Sequence, residues 1–526
     1  MPKVLIADKL SDAAKAVFEE HGVEADVRVG LKPDELLAIV GGYDGLAVRS
    51  ATKVTAEVLE RGAPRLRVVG RAGIGVDNVD VEAATQQGIV VMNTPFGNSI
   101  TTAEHAISLM LSLARDLPAA DRSTRAGKWE KARFMGVELT GKVLGLIGCG
   151  NIGSIVADRA QGLKMRVVAY DPFLSDERAS DIGVEKVDLD DLLARADFVS
   201  LHTPLTEQTR NVLSRERLAR TRKGVRIVNC ARGGLIDEAA LYDLIKAGHV
   251  KGAALDVFAK EPAKDSPLFE LDEVIVTPHL GAATSEAQEK VALQVAEQMS
   301  DYLVKGAVVN ALNMASVTAE EAPRLKPYMK LAEQLGSFAG QLTETGLRGV
   351  TITYAGDAAR LNTRPLTQIV LQGLLKPLLA SVNTVNAPAV ARARNIDVAT
   401  VERQELKGYQ ILVSVEVETD RGRREVCGTL FQDAEPRLVR VRGIDVEARL
   451  GPHMLYVRNA DRPGFIGNLG CTLGDAGINV ATFHLGRERP GGDAIALVEV
   501  DQEVPPDVLV KVAALPNVLQ VKQLGF

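Results

Sequence analysis

Val143-Leu144-Gly145-Leu146-Ile147-Gly148-Cys149-Gly150-Asn151-Ile152-Gly153 is the stretch that decides how this chain folds. Five apolar residues in a row read as a strand buried on both faces. Gly148-x-Gly150-x-x-Gly153 follows at once and opens a helical pattern. Glycines at that spacing let the backbone turn tightly and approach a pyrophosphate, whose charge the helix N-terminus stabilises. Asp171 closes the next strand, Val167-Val168-Ala169-Tyr170, at the separation expected of a carboxylate that meets a ribose 2′-hydroxyl. That carboxylate also repels a 2′-phosphate, and neither Tyr170 nor Pro172 beside it offers a compensating cation. The turn therefore reads as a site for NAD rather than NADP.

Working outward, Phe198-Val199-Ser200-Leu201, Val225-Arg226-Ile227-Val228, Gly252-Ala253-Ala254-Leu255 and Val274-Ile275-Val276 supply further buried strands, six in all with crossover helices. Upstream, Val4–Ala7, Gly45–Val48, Leu66–Val69 and Ile89–Met92 repeat the pattern. Helical spacing fills the gaps at Ser11–Glu20 and Asp80–Gln87, each opened by a capping residue. One long helical stretch, Ser99–Ala126, joins the two α/β units. The helical run after Thr284 is placed to return to the first unit and make it discontinuous. From about Val317 the pattern changes to half-buried strands at Val350–Tyr354, Gln410–Val417 and Glu425–Phe431 around helical residues 366–383. No catalytic constellation stands in that region. The last part reads β-α-β-β-α-β, the ferredoxin-like order.

The expected fold is α/β, with two doubly wound parallel-sheet units, an α+β unit and a ferredoxin-like unit. The boundaries are residues 1–97 completed by 283–312, then 98–282, 313–450 and 451–526. A chain of 526 residues is indeed too long for one core. Its 46 % apolar and 25 % charged residues are ordinary for a globular protein. A net charge of −6 disfavours nucleic acid as the main partner. The four cysteines, Cys149, Cys230, Cys427 and Cys471, lie far apart without a CxxC pair, which suits a reducing, cytoplasmic setting and no structural metal. The start, Met-Pro-Lys-Val-Leu-Ile-Ala-Asp, reaches charge too soon for a signal peptide, and no apolar run is long enough for a membrane span.

Three short runs then carry the chemistry: Asn229-Cys230-Ala231-Arg232-Gly233-Gly234, Asp256–Pro262 with Glu261, and Pro278-His279-Leu280-Gly281-Ala282. Arg232 and His279 both follow strand ends, at the carboxyl edge where open α/β sheets bind ligands. A guanidinium there grips a carboxylate with paired bonds. An imidazole takes a hydroxyl proton, and a carboxylate such as Glu261 fixes its tautomer and favours the imidazolium. A cradle for NAD beside an Arg, a Glu and a His suits oxidation of an alcohol next to a carboxylate.

These runs resemble the D-isomer-specific 2-hydroxyacid dehydrogenases, whose signatures are the glycine fingerprint, Asn-x-x-Arg-Gly-Gly and Pro-His-x-Gly-Ala. The resemblance spans the chain and is to the long form, which oxidises 3-phosphoglycerate with NAD in the first step of phosphorylated serine biosynthesis. It includes the substrate loop Arg71–Asn78, the hinge segment Met92–Pro95 with Asn98-Ser99, an intervening regulatory region and a terminal ACT domain. The resemblance implies cofactor contacts at Ile74, Asn151, Ile152, Asp171, Thr203, Cys230, Ala231, Arg232, Asp256, His279, Leu280, Gly281 and Ala282, beside the turn Gly148, Gly150 and Gly153. Ile74 stands where relatives often have Thr, so its contact is through backbone or apolar atoms. Arg49, Arg71 and Asn98 are the implied substrate anchors, with the N–H groups of Gly73 and Gly75 on a carboxylate. Lys128, Lys131 and Arg133 lie on or beside the segment Gly127-Lys128-Trp129-Glu130-Lys131, which the resemblance implies lies near a neighbouring subunit's active site, where they would add positive charge. The resemblance further implies a homotetramer and an L-serine effector site at Asn459, Asp461 and Asn479. At the first two of these positions relatives carry His and Asn, respectively. Two other readings share the trio: reduction of glyoxylate, hydroxypyruvate or another 2-oxo acid, and an NAD-sensing corepressor. The arginines Arg49 and Arg71 and the added C-terminal units favour the phosphorylated substrate.

Overall fold

The protein is described by a computed structural model covering residues 1–526 apart from 345, 380, 406, 407 and 433. The first sheet has five parallel strands, in the order Glu24–Val27, Lys3–Ile6, Gly45–Val48, Val68–Arg71 and Val90–Asn93. Gly45–Val48 and Val90–Asn93 are buried along their whole length because helices cover both faces. The fourth strand starts later than Leu66 and ends on Arg71, which puts a guanidinium at the carboxyl edge. Glu24–Val27 is an edge strand in which Glu24 and Asp26 alternate with Ala25 and Val27, none of them buried, so no apolar run announces it.

The second sheet has seven parallel strands, not six. Their order is Val274–Val276, Val250–Leu255, Val225–Asn229, Phe198–Leu201, Val143–Ile147, Arg166–Tyr170 and Glu185–Lys186. The additional strand is two exposed residues long at the sheet edge. The order reverses between Val143–Ile147 and Phe198–Leu201, which opens a crevice above the glycine turn.

The stretch expected as one helix over Ser99–Ala126 is two helices, Ser99–Ala114 and Leu117–Arg125. Asp116 takes a left-handed conformation at φ 49° between them. Pro118 lacks an N–H, and its ring would clash with the carbonyl of Ala114 in a continuous helix. The first of the two packs its Ala103, Ala106, Met110 and Leu113 into the core of the second sheet.

Helix Ser285–Lys305 is capped by the Thr284 hydroxyl, which accepts from the Ala287 N–H at 3.2 Å. Its stripe of Val291, Ala292, Val295, Ala296, Met299 and Leu303 packs against Val4, Ile6, Val68 and Val90 of the first sheet. The chain thus crosses to the second sheet and back. The loops at the carboxyl edges of the two sheets face each other across a cleft between the crossings.

A third, six-stranded sheet runs Asp397–Arg403, Leu347–Gly356, Ile411–Thr419, Gly422–Phe431, Glu435–Val441, Ile444–Ala448. Only its first pair is parallel. Of the residues expected as helical over 366–383, those up to Leu375 lie in helix Thr363–Leu375; the described residues beyond it to 383 are turn and irregular, Ala380 lies outside the described residues, and the next helix is Ala387–Ala393. The fourth sheet is antiparallel, in the order Val480–Arg487, Asp493–Val500, Met454–Ala460, Val518–Leu524. One face packs on helix Ala322–Gln341 through Met454, Tyr456, Leu497 and Leu524, while the other buries its own helices through Phe465, Leu469, Val508 and Val512.

Candidate active site

The three chemical runs meet at the mouth of the second sheet. Asp256, fully buried after strand Val250–Leu255, organises the loop that carries His279. Its carboxylate accepts from the Thr277 hydroxyl at 2.6 Å and from the N–H groups of Leu280 and Gly281 at 2.7 and 2.8 Å. Burial alone would raise its pKa, yet these bonds and His105, 3.3 Å away, hold it below the usual value. The Thr102 hydroxyl donates to the Gly281 carbonyl at 2.9 Å and ties the loop to helix Ser99–Ala114. Between these anchors His279 adopts a left-handed conformation at φ 57°, which turns its imidazole toward the Glu261 loop.

His279 Nδ1 and Glu261 Oε2 stand 2.8 Å apart. A carboxylate only accepts, so Nδ1 carries the proton and Nε2 keeps its lone pair. Glu261 Oε1 accepts from the Phe258 N–H at 3.1 Å, which fixes the carboxylate plane. The bond to Glu261 raises the His279 pKa above the ordinary imidazole value against opposition from burial and from Arg232. Burial pulls Glu261 the other way, but the bonds from His279 and Phe258 outweigh it and its pKa falls. The pair therefore favours imidazolium beside carboxylate.

Arg232 sits on the same side of the cleft as His279, on a loop folded by Asn229, whose side chain donates to the Arg232 carbonyl and accepts from the Ala231 N–H at 2.9 and 3.0 Å. Its Nη2 lies against the bare Cα of Gly75, where a Cβ would come within 1.4 Å. That contact brings the guanidinium over the loop Gly73–Gly75. The Gly73 N–H donates to Thr94 Oγ1 at 2.6 Å, and Asn93 Nδ2 to the Ile74 carbonyl at 2.7 Å, so the loop is clamped to the fifth strand of the first sheet. Arg71 is largely buried beside it, its pKa pulled down to about 10 by burial and then by the nearby Arg232. At that value it stays charged near neutrality. Arg49 faces the same space, its backbone held by buried Asp8, which accepts from the N–H groups of Arg49 and Thr52 at 2.6 and 3.1 Å. Among the described residues, Arg71 Nε and Asn98 Oδ1 are buried without a hydrogen-bond partner. Three convergent guanidiniums and the orphaned Arg71 Nε–H are what a polyanionic ligand would satisfy, whereas Asn98 Oδ1 is an acceptor and calls for a donor such as a hydroxyl.

The glycine turn fits a dinucleotide. Helix Asn151–Gly162 starts after Gly150 with no side-chain cap, leaving its first N–H groups to a ligand. A Cβ on Gly153 would meet the Gly148 carbonyl at 2.2 Å, so helix and turn pack too closely for any other residue, whereas Gly150 faces open space. Asp171 accepts from the Cys149 and Phe173 N–H groups, both at 2.8 Å, which holds its carboxylate at the end of its strand. Thr203 lies beside Gly148, and burial pushes the Cys149 and Cys230 thiols up, so neither is a nucleophile. These residues suit NAD.

Residues 107–281 match the NAD-binding domain of the D-isomer specific 2-hydroxyacid dehydrogenases. Residues 324–442 match the D-3-phosphoglycerate dehydrogenase intervening domain, and 453–517 the ACT domain. The chain is 44 % identical over 528 residues to the D-3-phosphoglycerate dehydrogenase of Methanocaldococcus jannaschii, covering 100 % of both. It is 40 % identical over 529 residues to that of Bacillus subtilis, again 100 % of both. A glyoxylate reductase from Paecilomyes thermophila has the same fold over 59 % of this chain and 98 % of its own, with a TM-score of 0.56 at 29 % identity. The chain belongs to the D-3-phosphoglycerate dehydrogenase family. It is an NAD-dependent dehydrogenase with an ACT module.

Within this family member, other predicted positions lie away from the cleft cluster. Lys128 and Lys131 are exposed, and Arg133 pairs with Glu130 and Asp272 on the segment before Val143–Ile147. Asn459 is buried at the end of its strand with Oδ1 unpartnered among the described residues. Asp461 accepts from the Gly491 N–H and from Arg487 at 3.0 and 3.2 Å, contacts that lower its pKa. Asn479 bonds Asp501 at 2.8 Å at the far end of the same sheet. Within one chain the three positions do not meet. Residues that shape the cleft but were not singled out from sequence are Asp77, Asn93, Thr94, Thr102, His105 and Asn229. Asp77 lay within the substrate loop, Asn93 and Thr94 within the hinge segment and Asn229 at the head of the Asn-x-x-Arg run, whereas Thr102 and His105 carried no signal of their own.

Proposed function

We propose that this chain oxidises 3-phospho-D-glycerate to 3-phosphohydroxypyruvate, with His279 as acid/base, Glu261 as its orienting partner and Arg232 as the carboxylate binder. The observation that carries this reading is the 2.8 Å His279–Glu261 pair on the same sheet edge as Arg232, with Arg71 on the opposite unit beside Arg232. Arg232 and the Gly75 N–H hold the substrate carboxylate, the Gly73 N–H expected beside it being taken by Thr94 Oγ1, and Arg49, Arg71 and Asn98 receive the phosphate. His279 Nε2 takes the C2 hydroxyl proton, and the resulting imidazolium is stabilised by Glu261. NAD, held by the turn Gly148–Gly153 and the Asp171 carboxylate, supplies the acceptor for the hydride from the same carbon. Lys128, Lys131 and Arg133 extend the positive field when a second subunit brings this segment over the cleft. Trp129 at 87 % exposure and Met135 at 80 % on that segment support such an assembly, and a homotetramer follows if the ACT modules pair as well. L-Serine is the proposed effector, at Asn459 and Asp461 of one chain with Asn479 of another.

No described helix is long and apolar enough to cross a membrane, and Cys149, Cys230, Cys427 and Cys471 are all free, which supports a cytoplasmic setting. Steady-state turnover of 3-phosphoglycerate against D-glycerate, hydroxypyruvate and glyoxylate, with and without L-serine, tests the assignment. A preference for an unphosphorylated acid would replace it with the 2-oxo acid reductase reading.

A further inference from the structure

Arg232 is held on two sides. Its Nη1 donates to the Ala231 carbonyl at 2.7 Å, within its own loop. Its Nε donates at 2.9 Å to Asp77 Oδ2, a residue of the opposite α/β unit. Asp77 follows Gly75, the residue on which Arg232 Nη2 rests. The loop under Asp77 is rigid. Asn78 donates to the Arg49 and Thr52 carbonyls at 2.9 and 2.7 Å, and its own carbonyl accepts from the Val54 N–H at 2.8 Å.

We infer that Asp77 is a positioning residue for the dehydrogenase reaction: it reaches across the cleft to aim the Arg232 guanidinium at the substrate carboxylate. The inference rests on the reading of Arg232 as the carboxylate binder. Its physical basis is charge as well as geometry. Arg49, Arg71 and Arg232 converge on one space and repel one another, and Arg71 feels both of the other two. Asp77 is the carboxylate that meets this cluster through a side-chain bond. Without it, Arg232 has one intraloop bond left and a like charge beside it, and the guanidinium swings outward to solvent. With it, Nε is fixed and Nη2 stays over Gly75, beside the Gly75 N–H that takes the same carboxylate. Because Asp77 sits on the substrate loop and Arg232 on the cofactor-side loop, the pair also sets the spacing between the two binding halves.

The test is a double-mutant cycle on the full-length protein, using Asp77→Asn, Arg232→Ala and the two combined. Asp77 is two-thirds exposed, so its substitution leaves the core intact, and NADH binding by fluorescence serves as the control for a formed cofactor site. Asp77→Asn is expected to lower kcat/KM for 3-phosphoglycerate on the order of tenfold or more, the scale of a misplaced positioning contact. The NADH Kd should stay within about twofold. Asp77→Glu should recover part of the loss. In the Arg232→Ala background the same change should have no further effect. An additive loss there would show that Asp77 acts elsewhere and overturn the inference. So would unchanged kinetics, or a lowered KM, which would make Asp77 a competitor for Arg232. Arg232→Ala with undiminished turnover would instead overturn the underlying reading of the site.

Discussion

The catalytic cleft and the effector positions are built in opposite ways. In the cleft, residues from distant segments converge within one chain: Asp77 meets Arg232 at 2.9 Å and Glu261 meets His279 at 2.8 Å. In the ACT module, close in sequence though they are, Asp461 and Asn479 are held apart. Asp461 bonds Arg487 at one end of strand Val480–Arg487, and Asn479 precedes the other end and bonds Asp501. Eight residues of strand separate them by about 25 Å. Folding of one chain thus suffices to assemble the chemistry. It leaves Asp461 and Asn479 at opposite ends of one strand, so the proposed effector site would need two copies to bring opposite sheet ends together. Catalysis should then be sensitive to single side chains within a subunit, and regulation to contacts between subunits.

The largest effect should come from the cleft. His279→Gln removes the proton acceptor but keeps a polar side chain of similar reach. We expect kcat/KM for 3-phosphoglycerate to fall by about 10³-fold or more, with NADH binding retained. Loss of NADH binding in parallel would mean that His279 holds the loop rather than the proton, and the cleft would be less self-contained than its geometry implies.

Glu261→Gln is the next step down. In the oxidation direction His279 must be neutral to accept a proton, so kcat/KM rises as pH increases through its pKa. Glu261 sets that pKa above the ordinary value, and removing its charge lowers it. The acid limb of the pH–rate profile should therefore move to lower pH, while the maximum rate drops on the order of tenfold because the imidazolium loses its partner. An acid limb that stays in place would uncouple the two residues.

How far these features were legible in the sequence follows from their range along the chain. Arg232, Glu261 and His279 each sit in a short run after a strand end, so local pattern exposes them. The Asp77–Arg232 bond spans 155 residues, and His105 and Thr102 reach the His279 loop from a helix more than 170 residues away. No window on the chain shows such contacts. The same limit hid parts of the fold. Strand Glu24–Val27 alternates acidic with apolar residues because it is an edge, and Glu435–Val441 carries Pro436 and two arginines within a half-buried strand. Helix Ala322–Gln341 contains prolines at 323 and 327, which mask its apolar stripe of Leu331, Leu335 and Phe338. The break at Asp116 was the converse, a continuous apolar pattern interrupted by backbone chemistry at Pro118.

The regulatory half of the comparison is sharpened by Asp461→Ala and Asn479→Ala. Each should abolish the response of 3-phosphoglycerate turnover to L-serine while leaving unstimulated kcat within about twofold, since neither touches the cleft. Mixed oligomers of the two variants should regain part of the response, because one of their interfaces pairs two intact half-sites. If one substitution is silent, the site is not shared between sheet ends. If neither matters, the ACT pairing serves assembly alone.

The smallest effect lies at Asn459, which is buried at 1 % exposure with its Oδ1 unpartnered and its Nδ2 bonded to the Ala460 carbonyl at 3.0 Å. A buried acceptor without a partner costs about 1–3 kcal/mol, whereas the bond from Nδ2 contributes about 1 kcal/mol. Leucine has nearly the same shape, so Asn459→Leu exchanges an unfavourable polar group for an apolar one in an apolar setting. The expected net change is a stabilisation of about 0.5 kcal/mol, seen as a rise in the unfolding midpoint of roughly a degree or two. Catalysis should be untouched and any L-serine response lost. That combination would mark Asn459 as a residue kept for a ligand at some cost to the fold. A clear destabilisation would instead mean that Oδ1 is satisfied in solution and that the ACT module carries no such cost.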